Sequence, residues 1–236
     1  MNKERWDKYV LDNAELEHDI GTRPEILEAQ PGYIMTKFVF NGLSRTWNKN
    51  KRILDVGASD GTFMKYFIDS GFKNTEGVTL CRADAEYGIK NYGFKIKVGD
   101  MHELPYKDGE FDVIWCRQTF EHAIAPYIAM CEFNRVLKKG GKLIILMPSP
   151  QHWTIFPHHY SVLNPPQMLN LALKSGFQQS VNQVVDLPGD WNLIEDEARR
   201  EYQRDLQQEW LYVFDKTENW DEIDRAKTPH MRINIK

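Results

Sequence analysis

The 236-residue sequence predicts an α/β fold: a doubly wound, mostly parallel sheet of seven strands, the last antiparallel, with helices on both faces. Three observations predict it. Short apolar runs alternate with helical stretches between Arg52 and Pro148, the spacing of βαβ units. The first run, Ile53-Leu54-Asp55-Val56, breaks at Gly57 and opens into a helix. The length suits one α/β domain with added elements and is short for two.

The elements follow in order. Residues 3–20 predict a helix with Trp6, Tyr9, Val10, Leu16 and Ile20 roughly on one face and Gly21 as its stop. A second helical stretch starts near Pro24, and a third runs from Tyr33 to Leu43; both precede the first strand and are expected at a cap or an edge. After Ile53–Val56 comes a helix carrying Phe63, Met64, Tyr66, Phe67 and Ile68, closed by Gly71. A strand (77–80), a helix (82–92) and a strand with alternating Phe94, Ile96 and Val98 continue the pattern. Phe111–Cys116 is the fourth strand. A helix is expected from Pro126 to Lys138, ending at Gly140-Gly141, and a fifth strand from Lys142 to Met147. Asn164 is placed as an N-cap with Pro165 at the first helical position. Two further strands, Val181–Leu187 and Trp210–Asp215, flank a charged helix over 194–208. The expected organisation is a helical cap over 1–46, a central domain over 47–217 with 149–163 as a lid or acceptor segment, and a polar tail over 218–236.

Composition narrows the function classes. With 42 % hydrophobic and 27 % charged residues the chain is ordinary globular material. A formal charge of −4 gives no basic field to collect nucleic acid. Cys81, Cys116 and Cys131 are odd in number and lack CxxC spacing, so a reducing, cytoplasmic setting is expected. No run approaches the ~18 apolar residues of a membrane span. The oligomeric state is not legible.

The turn after the first strand, Asp55-Val56-Gly57-Ala58-Ser59-Asp60-Gly61, is the candidate ligand site, because open α/β sheets bind ligands at the carboxyl ends of their strands. Gly57 and Gly61 are expected to let backbone approach a ligand; the plainer alternative is a tight turn only. Asp55 would repel a dinucleotide pyrophosphate, and the spacing is Gly-x-x-x-Gly, not GxGxxG, which disfavours a nicotinamide dehydrogenase. A ligand bearing an ammonium group suits an acidic strand end. Gly99-Asp100-Met101 adds an acid and an apolar residue side by side at the end of the third strand, a pair suited to an adenine ring.

Residues 52–148 resemble class I S-adenosylmethionine-dependent methyltransferases, especially the small-molecule group, on ILDVGASDG, GDMHELPYKDGEFDVIWC, FEH and FNRVLKKGGKLII. The resemblance implies a Rossmann-like sheet and S-adenosyl-L-methionine as cofactor. It implies that Asp55, Gly57, Ala58 and Gly61 line its methionine end, that Asp100 and Met101 flank the adenine, and that Cys116 to Gln118 lie beside the sulfonium. Family members usually carry an acid after the second strand for the ribose hydroxyls; this chain has Thr79, as in the similar Thr-Leu-Ser run of the cyclopropane-fatty-acid synthase branch, so Thr79 or Asp84 is expected at the ribose.

Methyl transfer from a sulfonium needs alignment and exclusion of water, and a base only if the nucleophile arrives protonated. Glu121-His122, and His152, His158, His159 and Tyr160, follow strand ends. His122 and His158 are the candidate bases. Because adjacent residues of an extended segment alternate sides, His159 is expected to face away. No metal site is expected, since the spacing shows no carboxylate partner. Asn164-Pro165-Pro166-Gln167 looks like the Asn-Pro-Pro-aromatic motif of amino-group methyltransferases, but follows the wrong strand and ends in Gln. Residues 190–224 hold twelve acidic against four basic side chains, a solvated face that disfavours nucleic acid. The expected activity is methylation of a small hydroxylated or carboxylated acceptor, such as a sugar, lipid or secondary metabolite. The alternatives are a cofactor-binding module without catalysis and a cyclopropane-synthase-like alkyl transferase.

Overall fold

A computed structural model describes residues 31–148, 158–186 and 208–219. Its elements are α1 (Pro31–Ser44), β1 (Ile53–Val56), α2 (Thr62–Asp69), β2 (Thr75–Thr79), α3 (Arg82–Tyr92), β3 (Ile96–Val98), β4 (Phe111–Arg117), a 3₁₀ turn (Phe120–His122), α4 (Pro126–Val136), β5 (Leu137–Pro148), α5 (Pro165–Lys174), β6 (Phe177–Asp186) and β7 (Gln208–Lys216). The expected helices over 3–20, from Pro24 and over 194–208, and most of the 149–163 segment and the 218–236 tail, lie outside the described residues.

The seven strands form one sheet in the order β3-β2-β1-β4-β5-β7-β6. The first five are parallel; β7 runs antiparallel to both β5 and β6. The chain winds outward from β1 to β3, then returns to lay β4 on the other side of β1. That reversal opens a crevice at the carboxyl ends of β1 and β4, where doubly wound sheets bind ligands.

All four residues of β1 are buried, as a central strand covered on both faces requires. Side chains alternate between two apolar layers. Leu54, Val56, Ile114, Cys116, Leu143 and Ile145 pack with α4 and α5 on one face. Ile53, Val113, Trp115, Ile144 and Leu146 pack with α1 and α2 on the other. The α1 helix corrects its expected place at a cap or edge. Its Phe40 is fully buried, stacks on Phe67 at 4.2 Å and meets Trp115 of central strand β4 edge-on at 5.9 Å. Among the described residues no helix is long and apolar enough to cross a membrane.

Helix α4 ends at Val136, two residues before the expected Lys138. Leu137 is fully buried and already pairs with Phe111 in the sheet. The register then slips, Val113 facing Lys142, and Gly140 takes a φ of 73° in the bulge. Buried Lys216 donates from Nζ to the carbonyls of Asn134 (2.7 Å) and Leu137 (2.8 Å), placing a cation on the C-terminal end of α4. The N-cap expected at Asn164 is present. Its Oδ1 accepts from Gln167 N and its own N–H donates to Gln167 Oε1, so Gln167 closes a capping box.

Candidate active site

The turn after β1 is held by its backbone. The N–H groups of Gly57 and Ala58 both donate to Val78 O, at 2.9 and 3.0 Å. Gly57 (φ 79°), Ser59 (φ 49°) and Gly61 (φ 86°) all lie in the left-handed region. The expectation that these glycines leave room for a ligand is corrected. A Cβ on Gly57 would sit 2.0 Å from Thr119 Oγ1, and one on Gly61 would sit 2.5 Å from the ring of Phe94. Both serve left-handed backbone and close packing against neighbouring elements. Helix α3 approaches the same turn. Gly88 lets it touch the backbone of Asp60, and Asp84 Oδ2 accepts from Ser59 Oγ at 2.7 Å. Asp84 is buried and reaches the turn itself. Thr79 is also buried, its Oγ1 accepting from Cys81 N at 3.3 Å.

Two buried carboxylates mark the strand ends. Asp55 is 3 % exposed, and its Oδ2 accepts no hydrogen bond. Burial pushes its pKa up to about 8, and the guanidinium of Arg117 opposes the rise. Asp100 stands at the end of β3. Its Oδ1 accepts from His102 N (3.0 Å) and lies 2.6 Å from His102 Nδ1, while its buried Oδ2 accepts nothing. His102 Nε2 accepts from Ala125 N at 3.3 Å, which leaves the ring proton on Nδ1, facing Asp100. Each acid thus presents one unsatisfied buried oxygen, the arrangement that a bound donor group would complete. The positive ammonium of a methionine moiety fits Asp55, and an adenine amino group fits Asp100, with buried Met101 beside it.

At the end of β4 the three expected neighbours of the sulfonium differ. Cys116 is enclosed in the apolar core, and burial holds its thiol well above the ordinary range. Arg117 pairs through both nitrogens with Glu209 of β7, its Nε 3.1 Å from Oε2. Gln118 alone has an exposed side chain; its backbone is left-handed (φ 49°) and its N–H donates to Leu146 O at 2.8 Å. Sequence reasoning missed the Arg117–Glu209 pair, because its members are 92 residues apart.

The histidines are also reordered. His159, expected to face away, meets the His122 ring edge-on with centroids 5.0 Å apart. His158 has an exposed side chain, and its carbonyl lies 3.1 Å from His122 Nδ1. The cause is a long-range clasp: the N–H groups of Tyr160 and Ser161 both donate to Glu121 O, at 2.7 and 2.8 Å. Glu121 is fully buried, and neither of its carboxylate oxygens accepts a hydrogen bond. Burial pushes its pKa up to about 8; the backbone N–H groups of Glu121 and Thr119 and the Arg117 guanidinium oppose the rise, and Glu209 adds to it. Glu121, His122 and His159 each bring a donor atom within 4.8 Å of the others. The carboxylate that the sequence spacing did not reveal is therefore the residue next to His122.

Comparison with known proteins agrees with this geometry. Residues 54–145 match the model of the methyltransferase domain family. The chain is 31 % identical over 105 residues to a probable tocopherol O-methyltransferase of Oryza sativa, and 34 % identical over 105 residues to a sterol 4-C-methyltransferase of Caenorhabditis elegans. Each match covers 42 % of this chain but only 29 % and 31 % of those relatives' own lengths. Among solved structures, a putative methyltransferase in complex with the Haloferax volcanii Trm112 activator superposes with a TM-score of 0.64 at 14 % identity, covering 84 % of this chain and all of that one. Geranyl diphosphate C-methyltransferase of Streptomyces coelicolor, solved with Mg2+, geranyl-S-thiolodiphosphate and S-adenosyl-L-homocysteine, superposes with a TM-score of 0.62 at 20 % identity, covering 78 % of this chain and 76 % of that one. Over residues 54–145 the chain is thus similar to the methyltransferase domain family, and its seven-stranded sheet has the strand order of the Rossmann-like methyltransferase fold.

Proposed function

We propose that this chain transfers a methyl group from S-adenosyl-L-methionine to a small oxygen-bearing molecule, hydroxylated or carboxylated. The observation that carries the reading is the pair of buried acids, Asp55 and Asp100, each with one oxygen that accepts no hydrogen bond, at the carboxyl ends of β1 and β3. When bound, S-adenosyl-L-methionine supplies a methyl group whose bond to sulfur breaks as its bond to the acceptor forms.

The protein's share is binding, orientation and exclusion of water. Asp55 holds the ammonium, Asp100 the adenine amino group, and Thr79 and the turn braced by Asp84 the ribose side. Gln118 and the 3₁₀ turn at Phe120–His122 face the transferred methyl. Where an acceptor hydroxyl must lose its proton, His122 is the better placed of the two candidate bases, because its neighbour in the site is His159 while the His158 side chain is exposed. The names of similar proteins include acceptors such as a tocopherol, a sterol, demethylmenaquinone and glycine, small molecules rather than polymers. The net charge of −4 supports the same class over nucleic acid, and three cysteines, odd in number and without CxxC spacing, support a reducing, cytoplasmic setting.

The test is direct. The purified chain is incubated with S-adenosyl-L-methionine and a panel of phenols, polyprenols, sterols, sugars and carboxylic acids, and S-adenosyl-L-homocysteine is quantified by mass spectrometry. Acceptor-dependent formation is expected. Tight binding of the cofactor with no product from any acceptor would favour a cofactor-binding module without catalysis.

A further inference from the structure

Glu121, His122 and His159 bring three donor atoms within 4.8 Å of one another beyond the end of β4. We propose that these three side chains bind a divalent transition-metal ion through one carboxylate oxygen and two imidazole nitrogens.

The chemistry of the donors selects this ligand. Imidazole pairs with first-row transition ions such as Zn2+, Fe2+ or Ni2+, whereas Mg2+ and Ca2+ take oxygen. Glu121 supplies a second, independent sign. Its carboxylate is fully enclosed and neither oxygen accepts a hydrogen bond. Burial disfavours the charged form of such a carboxylate, and a cation beside it would offset that cost. The nearby guanidinium of Arg117 is already engaged by both oxygens of Glu209. A divalent ion between Glu121 and the two rings would supply the missing positive charge.

The surroundings fix the ligands as metal sites require. His122 Nδ1 lies 3.1 Å from His158 O. Donation of the Nδ1 proton to that carbonyl puts the ring's lone pair on Nε2, the orientation that second-shell carbonyls impose on metal-binding histidines. The 3₁₀ turn is closed by His122 N donating to Thr119 O at 3.0 Å, and the segment carrying His159 is pinned to Glu121 O by Tyr160 N and Ser161 N. Three protein ligands leave coordination positions open, as in catalytic sites. There the ion would hold an acceptor oxygen beside the strand ends that bind the cofactor, and its charge would favour loss of that oxygen's proton in place of the base role proposed for His122 in the ion-free chain. That use rests on the methyl-transfer reading; binding of the ion does not.

The experiment titrates Co2+ into the untagged, chelator-treated full chain and follows visible d–d absorption, with Zn2+ as competitor. One equivalent of Co2+ is expected to give bands that one equivalent of Zn2+ abolishes. Glu121→Gln and His159→Ala should each weaken Co2+ by about tenfold or more, since even lost outer-shell partners weaken metal sites by about 10- to 100-fold. His158→Ala, which keeps the carbonyl, should leave the affinity unchanged. Calorimetry with S-adenosyl-L-homocysteine on the same samples reports folding and separates the two readings. Variants that bind it normally but lose Co2+ establish the site. Wild-type protein that binds it and yields no Co2+ spectrum overturns the metal site and leaves the methyl-transfer reading standing. Co2+ affinity unchanged in both ligand variants also overturns it.

Discussion

Ser59 Oγ donates a 2.7 Å hydrogen bond to Asp84 Oδ2, tying the turn after β1 to the first turn of α3. Ser59 sits at φ 49°, a conformation that a non-glycine residue holds only when its surroundings enforce it. Asp84 therefore acts on the cofactor loop as a positioning residue. Asp84→Ala should weaken S-adenosyl-L-homocysteine by about tenfold, about 1.4 kcal/mol, the scale of a hydrogen bond to a charged group. Ser59→Ala should weaken it similarly, and the double variant should add nothing further. Calorimetry on the four proteins checks this. Additive losses would show that Asp84 meets the ligand directly and not through Ser59.

Gly57 makes a stability prediction rather than a binding one. An added Cβ meets Thr119 at 2.0 Å and must also be carried at φ 79°. Gly57→Ala should therefore destabilise the fold by about 2–4 kcal/mol, combining overpacking with left-handed strain. Combining it with Thr119→Gly should restore the steric part only. Chemical denaturation of the three proteins measures this. A fully stable Gly57→Ala protein whose only defect is ligand affinity would return Gly57 to the role expected from the sequence.

Asp100 and Asp112 should separate binding from stability. Asp100→Ala removes the buried acceptor at the end of β3 and should weaken S-adenosyl-L-homocysteine by about 1–3 kcal/mol. His102→Ala leaves Asp100 Oδ2 in place and should do less. Asp112 stands at the opposite end of the sheet. Burial would raise its pKa, but the Lys138 ammonium at 2.8 Å, the Arg52 backbone N–H at 2.9 Å and Lys51 together hold it below the usual carboxylate range. A depressed pKa stabilises the fold above the ordinary carboxylate range and loses that stabilisation as pH falls through the lower folded value. For this partly exposed, screened group the effect is about 0.5–1 kcal/mol near neutral pH. Asp112→Ala should lower stability by that amount and leave ligand affinity unchanged. Equal affinity losses at the two positions would contradict this placement of the strands.

The sheet and its cofactor end were legible because their signals are local. Continuous apolar runs such as Ile53–Val56 announce central parallel strands, and the acid at Asp55 distinguishes the ligand class within a few residues. The unread parts depend on distant partners. Lys138 and Lys139 extend a helical pattern, yet Leu137 pairs with Phe111 and ends the helix early. Buried Lys216 is charged and looks solvated until the carbonyls of Asn134 and Leu137 are brought to it. The alternation of His158 and His159 was readable, but its sense was set by hydrogen bonds from Tyr160 and Ser161 to Glu121, about forty residues back in sequence. The glycine turn was found for the right reason of backbone freedom and misjudged in what its missing Cβ atoms make room for.

Asp55 makes the cofactor's affinity depend on pH. Its pKa is pushed up to about 8 chiefly by burial, well above the ~3.9 of an exposed aspartate. The folded chain then holds a proton that the unfolded chain releases near pH 4, so this group's contribution to stability falls as pH rises from about 4 to about 8. An ammonium at Asp55 reverses the preference, because it favours the carboxylate. Binding below about pH 8 must therefore expel a proton, and S-adenosyl-L-homocysteine affinity should rise with pH by up to about tenfold per unit until about pH 8. Glu121 titrates in the same range, so the slope alone does not identify the group. Asp55→Asn does, since it removes the proton at this position and leaves Glu121 in place. Calorimetry at pH 6.5 in two buffers of different ionisation enthalpy should show release of about one proton from the wild type and much less from Asp55→Asn, along with weaker binding. Equal proton release from the two proteins would assign the proton elsewhere and remove Asp55 as the partner of the ammonium.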